Sequence, residues 1–262
     1  MFPDVKFLGL DLYAIMIVIG VVAAIIVFRV FSDLKKAPTK VFNFFLIIIV
    51  VSIVIGFLAA ILFQSIYNLI ESGVWKWSGM TFFGGLIGGV LCFFLFYFAV
   101  GHFVFRRKEH IIHLSELVCC AIPCIVLAHA LGRIGCLFAG CCYGIPSQTL
   151  GISMLIDGVY EKRIATQLIE SIFLFALFGV LAFLLLKKDN HYIAQIYLLT
   201  YGVFRFAIEY LRDDPRGSLG VSFMTPSQLT SILLILLGIG LIFFHKYLYP
   251  KLIARLEKNE NE

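Results

Sequence analysis

Charge is what this sequence has least of: 14% of its 262 residues are Asp, Glu, Lys or Arg, against about 25% in ordinary soluble domains. Hydrophobic residues make up 61% and mean hydropathy is +1.00, which excludes a water-soluble fold of this length. No ten-residue segments of alternating hydrophobicity are present, which excludes a transmembrane barrel. The N-terminus lacks a basic region followed by a small-residue cleavage site, so no removable signal peptide is expected. A disulfide framework is missing as well: the cysteine count is seven, and Cys92, Cys119, Cys120 and Cys124 sit in apolar runs where cysteine serves as a small core hydrophobe. Two related halves, common in transporters, are also absent. The net charge of +5 would suggest nucleic acid for a soluble protein; here it must be read by side of the membrane, and no nucleic-acid partner is expected.

What is present is apolar sequence in runs long enough to cross a bilayer as helix, which takes about 20 residues. Seven spans are predicted, at about 11–31, 41–66, 80–105, 114–138, 166–186, 192–211 and 226–248. The expected architecture is all-α, a single seven-span membrane domain over residues 1–262. Arg29, Lys35, Lys36 and Lys40, then Arg106, Arg107 and Lys108, then Lys187 and Lys188, then Lys246, Lys251, Arg255 and Lys258 fall on one side. Lys6, Lys76, Lys162, Arg163, Arg212 and Arg216 fall on the other. The more basic side stays inside, so the chain is expected to run N-terminus out and C-terminus in. Trp75 and Trp77 suit a membrane interface, Pro123 predicts a kink, and 144–165 reads as a moderately polar excursion. Gly84, Gly85, Gly88 and Gly89 of the third span let a neighbouring helix or a ligand approach closely, and helix contact is the plainer account.

Arg133 is the residue this pattern does not explain. An ionisable group inside a span costs at least about 2.5–3.5 kcal/mol on insertion scales, so it marks a cavity or a partner. His129 lies one turn before it and Cys136 just under one turn after, on one helical face, and Gly140 and Gly144 predict that the helix ends there. Tyr201, Arg205 and Glu209 recur at four-residue spacing on the sixth span, which suits either a structural ion pair or a functional one. Glu209 alone cannot neutralise two arginines, and the surplus positive charge suits a lipid phosphate, which guanidinium binds in a bidentate way. Thr166, Gln167 and Glu170 open the fifth span, where capping accounts for Thr166 and Glu170; Thr225 or Ser227 caps the seventh, leaving Gln228 in need of a polar partner. Cys136, Cys141 and Cys142 with His129 have spacing unlike the usual paired metal ligands, and no metal is expected. A reactive thiol or redox pair beside Arg133 stays open.

Tyr13, the stretch 79–88 with its paired glycines, Gly132-Arg-Ile-Gly135 with Tyr143 and Gly144, 163–170, 201–209 and Gln228 together resemble the prolipoprotein diacylglyceryl transferase family, seven-span enzymes of the bacterial cell (inner) membrane. The resemblance implies transfer of the diacylglyceryl group of phosphatidylglycerol to a cysteine thiol of a lipoprotein precursor, with glycerol phosphate leaving and no cofactor. It implies that Arg133 binds the phosphate and head group, and that Arg205, held by Glu209 and Tyr201, stabilises charge on the departing phosphate. Gly84, Gly85, Gln167, Gln228 and Tyr13 fall at matching positions and are expected to line the lipid site. The family's histidine before the paired glycines is Phe83 here, its asparagine three residues after the arginine is Cys136, its glutamate eight after is Cys141, and an acidic residue earlier in span four is Cys119. Phenylalanine cannot accept a proton, so His129 is the expected substitute base. The same donor used on a glycan or lipid acceptor, or a non-catalytic lipid-binding or transport protein, are the alternatives.

Overall fold

The computed structural model describes residues 6, 7, 10–77, 79, 81–105, 108–156, 158–213 and 224–252. The expectations placed on Arg106, Arg107, Arg216, Arg255, Lys258 and the Phe83 side chain lie outside the described residues. Two compact units form: Lys36–Leu117, and Met1–Lys35 with Val118–Glu262.

The first of these units is built on two helices, α2 (Thr39–Ser72) and α3 (Phe82–Val104), in antiparallel contact, with the single turn α4 (Glu109–Ile112) following. Their interface is made of small residues. A Cβ on Gly56 would stand 2.9 Å from the Gly85 carbonyl, and one on Gly85 would stand 3.2 Å from the Ala60 Cβ. In lipid, where apolar burial does not drive helices together, such close backbone approach supplies the attraction through dispersion. Below the α3 terminus, Phe44, Phe105 and Tyr97 surround His110, whose carbonyl accepts the Tyr97 hydroxyl at 2.6 Å. Trp75 and Trp77 meet edge to face at 5.2 Å, exposed beyond the left-handed Gly73 that ends α2.

The larger unit holds a two-residue hairpin, β1 (Lys6–Phe7) with β2 (Leu10–Asp11), and five helices: α1 (Leu12–Leu34), α5 (Leu114–Ala139, its first turn in the other unit), α6 (Thr166–Lys187), α7 (Ile193–Ile208) and α8 (Pro226–Phe243). Successive contacts run antiparallel. Gly20 of α1 lies against Ala128 and Gly135 of α5 against Tyr13, Ser171 of α6 bonds the Ala130 carbonyl at 2.9 Å, Phe173 stacks on Phe204 at 3.8 Å, and Gly202 and Gly238 seat α7 against α8. One end of this unit therefore collects the start of α1, the end of α5, the start of α6, the end of α7 and the start of α8. The other end collects Lys35, paired with Asp189, and Lys187.

Among the described residues, six helices are long and apolar enough to cross a membrane: Leu12–Leu34, Thr39–Ile70, Gly84–Val104, Leu114–Ala139, Thr166–Lys187 and Pro226–Leu252. Large apolar side chains along them, such as Ile26, Leu58 and Leu95, stand more than half exposed, as lipid-facing residues do. The expected sixth span is α7, 16 residues long and continued by a 3-10 turn, Glu209–Leu211. Pro123 stands inside α5 as predicted. The polar excursion proves to be ordered as a second hairpin, β3 (Gly151–Ile156) with β4 (Val159–Ile164), whose facing backbone groups pair across the two strands.

Candidate functional site

The charged end of the larger unit is built from four helices. On α5, Arg133 projects its Nη2 to the Glu170 Oε1 of α6 at 3.0 Å; the arginine side chain is 15% exposed and the carboxylate 1%. The same oxygen accepts the Tyr201 hydroxyl of α7 at 2.9 Å and stands 3.8 Å from His129 Nε2. The His129 ring meets Tyr201 edge to face at 5.2 Å. Three groups from two helices thus converge on one carboxylate oxygen of a third. Arg133 Nε, buried, has no hydrogen-bond partner among the described residues.

Next to this set, Arg205 donates Nη1 to Glu209 at 3.0 Å and Nη2 to the Ser227 hydroxyl at 2.9 Å. Glu209 is held from its other oxygen by the Thr225 hydroxyl at 2.8 Å. Arg205 lies within electrostatic range of Glu170, Tyr201 and Arg212. The two guanidiniums therefore share one charged cluster.

Two sequence expectations are corrected. Glu170 does not cap α6: it is the counter-ion of Arg133, so each buried arginine has its own carboxylate. A third guanidinium, that of Arg212, lies within electrostatic range of Arg205. Tyr201 holds Glu170 and through it Arg133, where it was expected to hold Arg205. The Arg205 to Glu209 pair stands as its spacing predicts.

The loop after α5 closes over this end. Gly140 takes φ 72°, its N–H bonds the Leu137 carbonyl, and the Cys141 N–H bonds the Cys136 carbonyl, a Schellman ending that satisfies the last carbonyls of the helix. Cys142 is left-handed as well, at φ 62°. Gln167 Nε2 bonds the Cys141 carbonyl and the Thr166 hydroxyl bonds that of Cys142 at 2.7 Å. The sulfurs of Cys136, Cys141 and Cys142 lie within 4.8 Å of one another. Hydrogen bonds from the Cys136 and Cys141 thiols pull the Cys142 thiol well below its usual range. Gly144 bridges to Arg212 where a Cβ would stand 2.5 Å from the Leu211 carbonyl. Arg163 ties the hairpin to the same place: it bonds Glu161 at 2.8 Å and Asp213 at 2.5 Å and lies over the Tyr143 ring.

Tyr13 reaches this end, against Gly135. Gln228 spends its carbonyl on the Thr225 N–H in a capping box, and Gln167 keeps Oε1 buried without a partner among the described residues. Gly84 and Gly85 belong to the other unit, where a Cβ would meet Phe63 and Ala60, so contact between α2 and α3 accounts for them. Glu170 is the residue the sequence reading missed; its spacing from Arg133 carries no signal because the pair forms between helices.

The profile of the prolipoprotein diacylglyceryl transferase family matches residues 3–244. A phosphatidylglycerol–prolipoprotein diacylglyceryl transferase 2 of Clostridium perfringens is 35% identical over 188 residues, covering 70% of this chain and 67% of its own. A phosphatidylglycerol–prolipoprotein diacylglyceryl transferase of Clostridium tetani is 32% identical over 241 residues, covering 87% and 90%, and one of Streptococcus sanguinis is 30% identical over 258 residues, covering 89% and 90%.

Proposed function

The chain belongs to the prolipoprotein diacylglyceryl transferase family, and on that premise we propose that it is a transferase moving the diacylglyceryl group of phosphatidylglycerol to the cysteine thiol of a lipoprotein precursor. In this reaction the thiol sulfur forms a bond to the glycerol carbon of the diacylglyceryl group, and the carbon to phosphate-oxygen bond breaks. Glycerol phosphate leaves with the electron pair, and the thiol proton passes to a base.

The observation that carries the reading is the convergence of Arg133 and Arg205 on one buried cluster in which each is anchored by its own carboxylate. Preorganised donors aimed at a phosphate that gains charge lower the barrier because they need not reorganise as the charge develops. Arg133 binds the lipid phosphate, its unpartnered Nε supplying a donor that a phosphate oxygen satisfies. Arg205, fixed by Glu209 and Ser227, stabilises the leaving group. Glu170 and Tyr201 position Arg133, and His129, beside Glu170, takes the thiol proton. Gln167 and Tyr13 line the lipid site from the same end, with Gln228 holding the start of α8.

The distribution of charge supports an orientation with this end toward the outer leaflet of a bacterial cell membrane. Lys35, Lys187, Lys188 and Lys246 lie toward the opposite end of the unit, on the side that basic residues keep inside.

The test is reconstitution of the full chain with labelled phosphatidylglycerol and a peptide carrying an acceptor cysteine. A thioether-linked product with stoichiometric glycerol phosphate is the expected result. Glycerol phosphate without thioether would move the reaction to another acceptor, and unaltered lipid would overturn it.

A further inference from the structure

The three thiols at the end of α5 are used by none of the steps above, yet the fold gathers them with some effort. Cys136 sits on the last turn of the helix; the Schellman ending and the left-handed Cys142 then fold the chain back so that Cys141 and Cys142 meet it. Positive φ at a non-glycine residue costs of order 1 kcal/mol and persists only where its surroundings hold it. Here Thr166 and Gln167 hold it, through the carbonyls of Cys142 and Cys141.

Zinc takes thiolates at about 2.3 Å in a tetrahedron, which sets its sulfurs roughly 3.8 Å apart. The three sulfurs, all within 4.8 Å of one another, need only rotamer adjustments to reach that spacing. Among the described residues no fourth His, Cys, Asp or Glu joins the group, and Cys141 is exposed, so the site has three ligands, an open position and a way in. Closed four-ligand zinc sites are structural; three protein ligands with an open position is the reactive kind. Charge agrees. Three thiolates and a divalent cation sum to one negative charge, and the guanidiniums of Arg133 and Arg212 lie within electrostatic range of Cys142.

We propose that Cys136, Cys141 and Cys142 form a three-thiolate site for a zinc-class cation, with its fourth position taken by an incoming thiol. On binding, those of the three sulfurs that still carry a proton give it up to solvent. A fourth thiol that ligates the ion has its pKa lowered, so that a weak base such as His129 suffices to take its proton and leave a nucleophile at neutral pH. Metal capture stands independently of the transferase reading. Identifying the fourth thiol with the acceptor cysteine rests on that reading.

The experiment titrates the reduced, detergent-solubilised full chain with cobalt, whose sulfur charge-transfer and ligand-field bands report tetrahedral thiolate sites. About one equivalent per chain is expected, with affinity rising as pH rises because protons are released. Cys141→Ser, at an exposed position, and Cys142→Ser are expected to weaken binding at least about tenfold while the thermal transition stays in place, and Cys92→Ser to leave binding alone. A cysteine peptide added to the cobalt-loaded protein is expected to intensify the charge-transfer band, and its serine counterpart to leave it unchanged. No stoichiometric uptake, or uptake surviving both Cys141→Ser and Cys142→Ser, overturns the site. Uptake with no response to the cysteine peptide overturns the fourth-ligand assignment alone, and thioether formation by metal-free protein overturns its part in the reaction while leaving the transferase reading intact.

Discussion

Arg133 on α5 and Glu170 on α6 pair at 3.0 Å with the carboxylate 1% exposed, and the same carboxylate oxygen takes the Tyr201 hydroxyl of α7. Three helices are thus joined at one atom. A buried charge that loses its partner costs about 3–5 kcal/mol, because it can neither return to water nor be compensated. Glu170→Gln is therefore expected to lower the thermal transition markedly and to abolish turnover. A Gln variant as stable and active as the wild type in a melt and a thioether assay would remove Glu170 from its central place.

Tyr201→Phe separates positioning from binding. The hydroxyl touches Glu170 and acts on Arg133 only through it. A hydrogen bond to a charged group is worth about 1.5–3 kcal/mol, so transition-state stabilisation should fall by that order or less, roughly ten- to hundredfold in kcat, with KM for phosphatidylglycerol changed little. A rise in KM at constant kcat would instead mean that the hydroxyl touches lipid.

Arg205 uses both arms of its fork, one to Glu209 and one to Ser227. Lysine carries the charge but not the fork, so Arg205→Lys should lose nearly as much rate as Arg205→Ala, about 10²- to 10³-fold if the group acts as a preorganised donor. Substantial activity in the Lys variant, measured as glycerol phosphate release, would show that charge alone suffices.

What the sequence made legible follows the range of the interaction. Arg205 and Glu209 are four residues apart on one helix, so periodicity alone pairs them. Glu170 is 37 positions from Arg133, and its place near a helix start made capping the nearer account; only the α5 to α6 contact reveals the pair. Tyr201 was misassigned for the same reason, since its helical spacing to Arg205 is right but its hydroxyl points across to α6. The hairpin of 151–164 was hidden because strand pairing is non-local and its alternation is blurred by Glu161, Lys162 and Arg163. The three thiols are grouped by the sequence but their spacing argues against a shared ion, because spacing counts residues and cannot foresee the left-handed Cys142 that folds the chain back.

His110, in the smaller unit, gives a prediction in pH. Its ring is buried among Phe44, Tyr97 and Phe105, and burial, with His102 nearby as a lesser cause, pushes its pKa below the ordinary histidine value. The unfolded chain then takes up a proton that the folded chain refuses. Stability is full above about pH 6.5, the unfolded value, and falls as pH drops below it toward the folded pKa. Melts from pH 7.5 to 5 should show a loss that His110→Gln flattens; an unchanged slope in the variant would assign the loss to other groups.

Gly144 tests whether the loop over the charged end must close. Its N–H bonds the Ile164 carbonyl at 2.9 Å, and it bridges to Arg212, so the loop after α5, strand β4 and the end of α7 meet at this one residue. A Cβ there would stand 2.5 Å from the Leu211 carbonyl and 2.9 Å from that of Ile164, both backbone atoms that cannot swing aside as a side chain would. Gly144→Ala must therefore part the loop from the Glu209–Leu211 turn, and with it disturb Glu209 and Arg205. Overpacking of this kind costs about 1–3 kcal/mol, so the variant should still fold while losing most activity. Its Arg205→Ala double variant should be little worse than either single one, because both changes act through the same guanidinium. Multiplicative losses in that cycle would mean that Gly144 serves the site by some route other than the position of Arg205.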